Sequence, residues 1–153
     1  MSEVEVRRGQ RVPSEVESLL RSLPDWFGIE EALLGYVADA RTNDTYTAVM
    51  DGKVVGALIA KRHGTYSSEV HLMAITPSLH RRGIGRKLLG VLEDDLASTS
   101  VEFLQVKTLG PSEPSAEYAG TRHFYESMGF RALEEIVGLW PGNPCLIMVK
   151  FLG

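Results

Sequence analysis

The stretch from Glu69 to Leu89 limits what this chain can fold into more than any other. An apolar run, Val70-His71-Leu72-Met73-Ala74-Ile75, ends at Pro77. A short basic turn carrying Gly83 and Gly85 follows. Ile84, Leu88, Leu92 and Leu96 then recur every four residues, with Leu89 beside them, which is the spacing of one helix face. Strand, glycine turn and helix start, in that order, are the parts of a phosphate-binding device. The other segments are read as what is built around it.

Val4-Glu5-Val6 alternates as a short first strand. Pro13-Ser14-Glu15 opens a helix: proline suits the first turn, and Ser14 or Glu15 can complement its free N–H groups. Val16, Leu19, Leu20 and Leu23 share a face, and Pro24 stops the segment. Ile29, Leu33, Leu34 and Val37 form a second helical face running to about Ala40, with 41–44 as a polar turn. Residues 45–50 and 53–61 are strands joined by Asp51-Gly52, a strong two-residue hairpin signal. The turn 63–67 leads into the strand before the glycines. Residues 101–109 form the next strand, so the intervening helix makes a right-handed parallel crossover. A loop at 110–115 is expected to be mobile. Residues 119–128 are the last helix, stopped by Gly129. Terminal strands at 131–137 and 146–152 flank a turn at 140–144. The order is β-α-α-β-β-β-α-β-α-β-β.

No internal repeat or linker interrupts this order, so a single domain, 1–153, is expected; at this size roughly two thirds of the unfolded surface can be buried. A net charge of −4 argues against a broad nucleic-acid surface. The lone cysteine, Cys145, cannot form an internal disulfide, which suggests a reducing cytoplasm and a packing role. No apolar run approaches the ~20 residues that span a bilayer. The N-terminal stretch from Met1 to Arg8 has no apolar secretory core, so neither export nor a membrane is expected. No histidine, cysteine or carboxylate set has metal-ligand spacing, so no metal is expected.

Gly83 and Gly85 let the backbone approach a ligand closely and adopt positive φ. The N–H groups of the helix start point to the same place, and Arg81, Arg82, Arg86 and Lys87 add positive charge. A diphosphate fits. The dinucleotide fingerprint fails on spacing, because Leu88 stands where its third glycine is needed. The nucleoside-triphosphate loop fails too, since no glycine precedes Gly85 by five residues. The plain alternative is a tight turn beside a solvated basic face.

Ile75-Thr76-Pro77 followed by His80-Arg81-Arg82-Gly83-Ile84-Gly85 resembles the acetyl-CoA signature of the GNAT N-acetyltransferases, and His123-Phe124-Tyr125-Glu126-Ser127-Met128-Gly129-Phe130 resembles that family's last-helix segment. Element order agrees over essentially the whole chain. One departure is His80, where glutamine or arginine is usual; backbone N–H groups carry most of that contact, so cofactor binding is expected to survive. The resemblance implies an α/β fold of the acyl-CoA N-acyltransferase type, a mixed, mostly antiparallel sheet of six to seven strands flanked by about four helices. It implies acetyl transfer from acetyl-CoA to a primary amine of a small molecule or peptide, by direct attack in a ternary complex.

The same resemblance assigns roles. The turn at His80, Arg81, Arg82, Gly83, Ile84, Gly85 and Arg86 would hold the pyrophosphate, and the backbone of Met73, Ala74 and Ile75 would pair with pantetheine. An N–H at Ile75 or a neighbour would bind the oxyanion. Tyr125 would protonate the leaving sulfur, and so also meet the cofactor; otherwise it is a core aromatic like Phe124. Glu69 is the first candidate base and His71 the second, since histidine as a residue type changes charge near neutrality and suits the task. Otherwise Glu69 is a strand-end surface charge and His71 a satisfied half-buried histidine. His63 and His123 read as surface residues. Trp26, Phe27, Glu69 and Trp140 are candidate acceptor contacts, though the aromatics also suit a core, and Glu30, Glu31 and Asp39 could attract a cationic amine. A homodimer through sheet edges is also implied. Two other functions compete: a non-catalytic module that binds coenzyme A, and a binder of some other phosphate compound.

Overall fold

The computed structural model describes residues 3–153. Met1 and Ser2, the start of the stretch read for an export signal, lie outside the described residues. In chain order the elements are β1 (Glu5–Gln10), α1 (Pro13–Arg21), α2 (Glu30–Thr42), β2 (Asp44–Met50), β3 (Lys53–Arg62), β4 (Ser67–Ile75), a short 3-10 turn (Pro77–Leu79), α3 (Ile84–Leu96), β5 (Phe103–Leu109), α4 (Ala116–Ser127), β6 (Arg131–Trp140) and β7 (Asn143–Phe151). The seven strands run β1-β2-β3-β4-β5-β7-β6 in one mostly antiparallel sheet. The β4/β5 pair is parallel, as the crossover through α3 requires. Among the described residues no helix is long and apolar enough to cross a membrane.

Packing divides the chain into two compact units. The first joins the chain up to Arg62 with His71–Thr99. Its hairpin turn is Asp51-Gly52, with φ of 53° and 76° and Met50 opposite Lys53. Both residues take the left-handed values that a two-residue turn needs to follow the strand twist. Val16, Leu19 and Leu20 of α1 and Leu33, Val37 and Ala40 of α2 bury against Ala57 and Ile59 of β3 and Leu72 and Ala74 of β4. On the other face of β3, a methyl group placed on Gly56 would lie 3.3 Å from Ile84 Cγ2 of α3, so glycine is what lets α3 seat closely there.

Two expectations for α2 need correction. Ile29 and Leu34 are 71% and 47% exposed. The buried stripe is Leu33, Val37 and Ala40, at helical spacing, which turns Leu34 away and leaves Ile29 before the first turn. The helix also runs on to Thr42, because Arg41 and Thr42 can face water in a last turn closed by Asn43 N–H on the Asp39 carbonyl at 3.0 Å.

The β2/β3 register slips between Ala48 and Val49, leaving Val55 without a residue opposite it. The Val55 carbonyl instead accepts the N–H of Thr76 at 2.8 Å. The bulge thus anchors the chain where β4 ends and the glycine turn begins.

The second unit joins His63–Val70 with Ser100–Gly153. The first half of β4 pairs with β5 from Ser67↔Phe103 to Val70↔Val106, and β7 lies antiparallel to both β5 and β6. Helix α4 starts at Ala116, earlier than expected, because Ser115 Oγ caps it by accepting the Tyr118 N–H at 3.3 Å. Gly129 follows the helix at φ +99°, the left-handed stop its position suggests. The last turn is shorter than 140–144: Trp140 pairs with Asn143, so Pro141-Gly142 alone makes the bend.

The loop at 110–115 is tied down. Glu135 Oε1 accepts Ser112 N–H at 3.1 Å and its hydroxyl at 2.8 Å, and Gly110 N–H donates to the Pro144 carbonyl at 2.9 Å. The carboxylate lies over Gly110 so closely that a methyl group there would fall 2.0 Å from Oε1.

Candidate active site

In the first unit the site is the link between β4 and α3. Arg81 has φ +67° and Gly83 φ +79°, two left-handed residues around Arg82. Gly83 is the N-cap of α3 and has no side chain with which to cap it. The first backbone bond into the helix is Lys87 N–H to the Gly83 carbonyl at 3.0 Å. The N–H groups of Ile84, Gly85 and Arg86 therefore have no intrahelical acceptor. Among the described residues, its two chain neighbours apart, nothing lies within 4 Å of a methyl group placed on Gly83. Arg81, Arg82 and Arg86 are exposed, and among the described residues none of them has an ion-pair partner. The donor set, the helix dipole and the charge suit a phosphate group. Lys87, expected to add to that charge, gives its Nζ to the Val4 carbonyl at 2.7 Å.

His80 sits before the turn with its Nε2–H on the Ile75 carbonyl at 2.9 Å and its ring edge-on to Trp26, 6.4 Å between centroids. Further along the same unit, His71 Nε2 is 2.7 Å from Asp39 Oδ2. Tyr36 tilts against the His71 ring at 5.5 Å, and Phe27 meets Tyr36 edge-on at 5.9 Å. Tyr36 and Asp39 stand three apart on α2 and so share a face. The sequence places both on that face, but nothing in it shows that His71, 32 residues on from Asp39, lies against them. Met73 and Ile75 are half-buried and alternate with buried Leu72 and Ala74.

In the second unit Glu69 is 4% exposed, which removes the reading of a surface charge. Its Oε1 lies 2.5 Å from His63 Nε2 and 3.2 Å from Lys107 Nζ. His63, expected as a plain surface residue, is a partner of Glu69. Glu69 stands opposite Gln105 in the β4/β5 ladder, so Lys107 is its diagonal neighbour, a relationship that only the register reveals. His123 is exposed.

Tyr125 is buried between Phe124 at 5.2 Å and Phe130 at 5.3 Å, both edge-on. Burial raises its phenol well above the ordinary tyrosine value, because a buried phenolate is poorly solvated. Cys145 is fully buried in β7, and burial raises its thiol likewise. Trp140 is half-buried at the end of β6. Glu30, expected to draw a cationic acceptor, is already gripped by Arg21 through two contacts of 2.7 and 3.0 Å, which hold its carboxyl below the usual range. Among the described residues no three His, Cys, Asp or Glu side chains gather as a metal site.

Comparison with solved structures gives the same fold. A GNAT-family protein from Desulfovibrio desulfuricans superposes with a TM-score of 0.84 at 21% identity, covering 99% of this chain and all of its own (100%). The ribosomal-protein-S18-alanine N-acetyltransferase of Escherichia coli reaches 0.79 at 16% identity, over 99% of this chain and 95% of that one. An aminoglycoside 6'-N-acetyltransferase complexed with coenzyme A reaches 0.76 at 19% identity, over 97% of each chain. No curated protein sequence matches closely enough to count as a relative. Residues 41–132, from the end of α2 through the glycine turn and α4 to the start of β6, match the profile of the acetyltransferase (GNAT) domain. With that match over more than half its length, around a left-handed glycine turn at the head of α3, the chain belongs to the GNAT acetyltransferase family.

Proposed function

We propose that this chain transfers the acetyl group of acetyl-CoA to a primary amine of a small molecule or peptide, by direct attack within a ternary complex, and that residues 1–153 work as one N-acetyltransferase domain. The reading is carried by the Gly83 N-cap, left-handed and without a side chain, ahead of three N–H groups and beside three guanidiniums that have no ion-pair partner among the described residues. A pyrophosphate suits that turn. In this reading residues 80–86 hold the pyrophosphate, and Met73, Ala74 and Ile75 meet the pantetheine arm. The oxyanion donor is an N–H at Ile75 or a neighbour other than Thr76, whose N–H is already bonded to Val55.

The amine nitrogen forms the new C–N bond as the C–S bond breaks. The sulfur keeps the bonding pair and takes a proton from the Tyr125 phenol, whose protonated form burial favours and which regains its proton from water before the next turnover. The surplus amine protons leave through a base on β4, where Glu69 and His71 are the two available groups. Trp26 and Phe27, half-buried against the core of the first unit, stay with Glu69 and Trp140 as candidate acceptor contacts. One solved relative is named for an aminoglycoside and another for a protein alanine, so both acceptor types belong in the test.

That test is a panel of amines with acetyl-CoA, following free thiol: a diamine, free amino acids, an aminoglycoside and an alanine-led peptide. Thermal shift with coenzyme A, acetyl-CoA and ATP accompanies it. A ligand at 100 times its Kd stabilises by ~2.7 kcal/mol, so a selective rise with both coenzymes is expected. A rise with ATP alone would sink the reading. Coenzyme binding with no thiol release from any amine would point instead to a non-catalytic binding module.

A further inference from the structure

We infer that Asp39 is a positioning residue for His71, and that His71 Nδ1 takes the proton which the acceptor ammonium must lose. The inference rests on the acetyl-transfer reading and chooses between its two bases. An ionised carboxylate only accepts hydrogen bonds, so the 2.7 Å contact from His71 Nε2 to Asp39 Oδ2 puts the ring hydrogen on Nε2. Nδ1 then keeps its lone pair. Tyr36, 5.5 Å from the ring and backed by Phe27, limits its rotation. The turn that ends α2 fixes Asp39 in its place, since the Asp39 carbonyl accepts both the N–H and the side-chain amide of Asn43.

In the step, the N–H bond of the ammonium breaks and its electron pair stays on the amine nitrogen. Nδ1–H forms, and the resulting imidazolium keeps its Nε2–H on Asp39, whose negative charge offsets the new positive one. The imidazolium later returns its proton to water. Glu69 serves this step less well. Its Oε1 is shared between His63 and Lys107, which leaves Oε2 as the atom to take an incoming proton. His71 and Asp39 retain partial exposure, 20% and 38% of their side chains, whereas Glu69 has 6%.

Histidine side-chain 15N–1H spectra of the whole chain test the pair without substrate, with His71 assigned by the signals lost in His71→Gln. The expected result is a protonated Nε2 and bare Nδ1 at His71, and mixed tautomers in Asp39→Ala. A protonated Nδ1 in the unsubstituted chain, or an unchanged tautomer in Asp39→Ala, would overturn the inference. With whichever panel amine releases thiol, His71→Gln should lower kcat by about 10²–10⁴-fold, the usual range for a proton-transfer group. Asp39→Ala should lower kcat about 10-fold with KM within about twofold, and Asp39→Glu should regain part of the loss. Asp39→Asn keeps the shape, so it folds as before and isolates the lost charge. A raised KM with unchanged kcat in Asp39→Ala would mean that Asp39 binds the amine, against the inference. Full kcat in His71→Gln refutes this inference alone; failure of the unsubstituted chain to bind acetyl-CoA refutes the acetyl-transfer reading and leaves the tautomer result standing.

Discussion

The imidazole of His80 donates its Nε2–H to the carbonyl of Ile75 at 2.9 Å, five residues back along the chain. The bond ties the end of β4 to the entrance of the glycine turn, across the 3-10 turn Pro77–Leu79. His80 departs from the glutamine or arginine of the resembling signature, yet it keeps a donor at this position. A bond of this kind contributes about 1 kcal/mol. His80→Ala should therefore raise the coenzyme A Kd roughly fivefold by titration calorimetry, and His80→Gln should restore most of it. An unchanged Kd in His80→Ala would mean the turn holds its shape without the bond.

Gly83 is the second point of leverage. Its φ of +79° is one that a residue with a Cβ reaches at a cost of about 1–2 kcal/mol. Gly83→Ala should lower the urea unfolding free energy by that amount and weaken coenzyme A binding. Because nothing among the described residues, the chain neighbours apart, stands within 4 Å of the added methyl, the loss would come from backbone strain rather than a clash. Equal stability of the two proteins would show that the left-handed turn is not required.

Tyr125 gives a pH signature. Its phenol is raised above the usual 10.0 by burial, so above that pH the unfolded chain releases this proton while the folded chain keeps it. Stability then falls as pH rises through that window, and is unaffected by this group below it. The slope for one such group is at most ~1.4 kcal/mol per pH unit. Tyr46 and Tyr118 are raised too, so the comparison is between the unsubstituted chain and Tyr125→Phe. The substituted chain should lose stability less steeply between pH 10 and 11 in urea titrations; parallel curves would contradict the burial argument.

The Glu135 clasp makes the last prediction. Gly110→Ala would place a methyl group 2.0 Å from Glu135 Oε1, which must swing away and release Ser112. The Ser112 amide should then exchange with solvent at least 10-fold faster, with a stability loss of about 1 kcal/mol. Glu135→Ala should accelerate the same amide without the clash. Unchanged exchange in both would mean that the loop is held by Gly110 N–H and Pro144 alone.

Much of this molecule is written in local spacing. Asp51-Gly52, the stripe from Ile84 to Leu96, and Gly129 each act within a few residues, through backbone sterics and helical periodicity, and the structure has each where its spacing puts it. The glycine turn is of the same kind, because the left-handed N-cap and the donors behind it need no distant partner. Boundaries were less legible. Leu34 and Ile29 are apolar yet exposed, and β6 runs on to Trp140, because burial and ladder pairing override apolar pattern at element ends.

The charged partners could not be read from order along the chain. Glu69 finds His63 six residues away but Lys107 at 38, and His71 finds Asp39 at a separation of 32. Those meetings depend on the β4/β5 register and on how α2 packs beside β4, and no local rule sets either. Residue spacing accounts for the order of elements and the glycine turn, because each is decided by neighbours within a helical turn or a hairpin. Packing accounts for which ionisable groups face one another, and so for which histidine carries an aspartate, because a charge shielded from water is governed by whatever the fold brings against it.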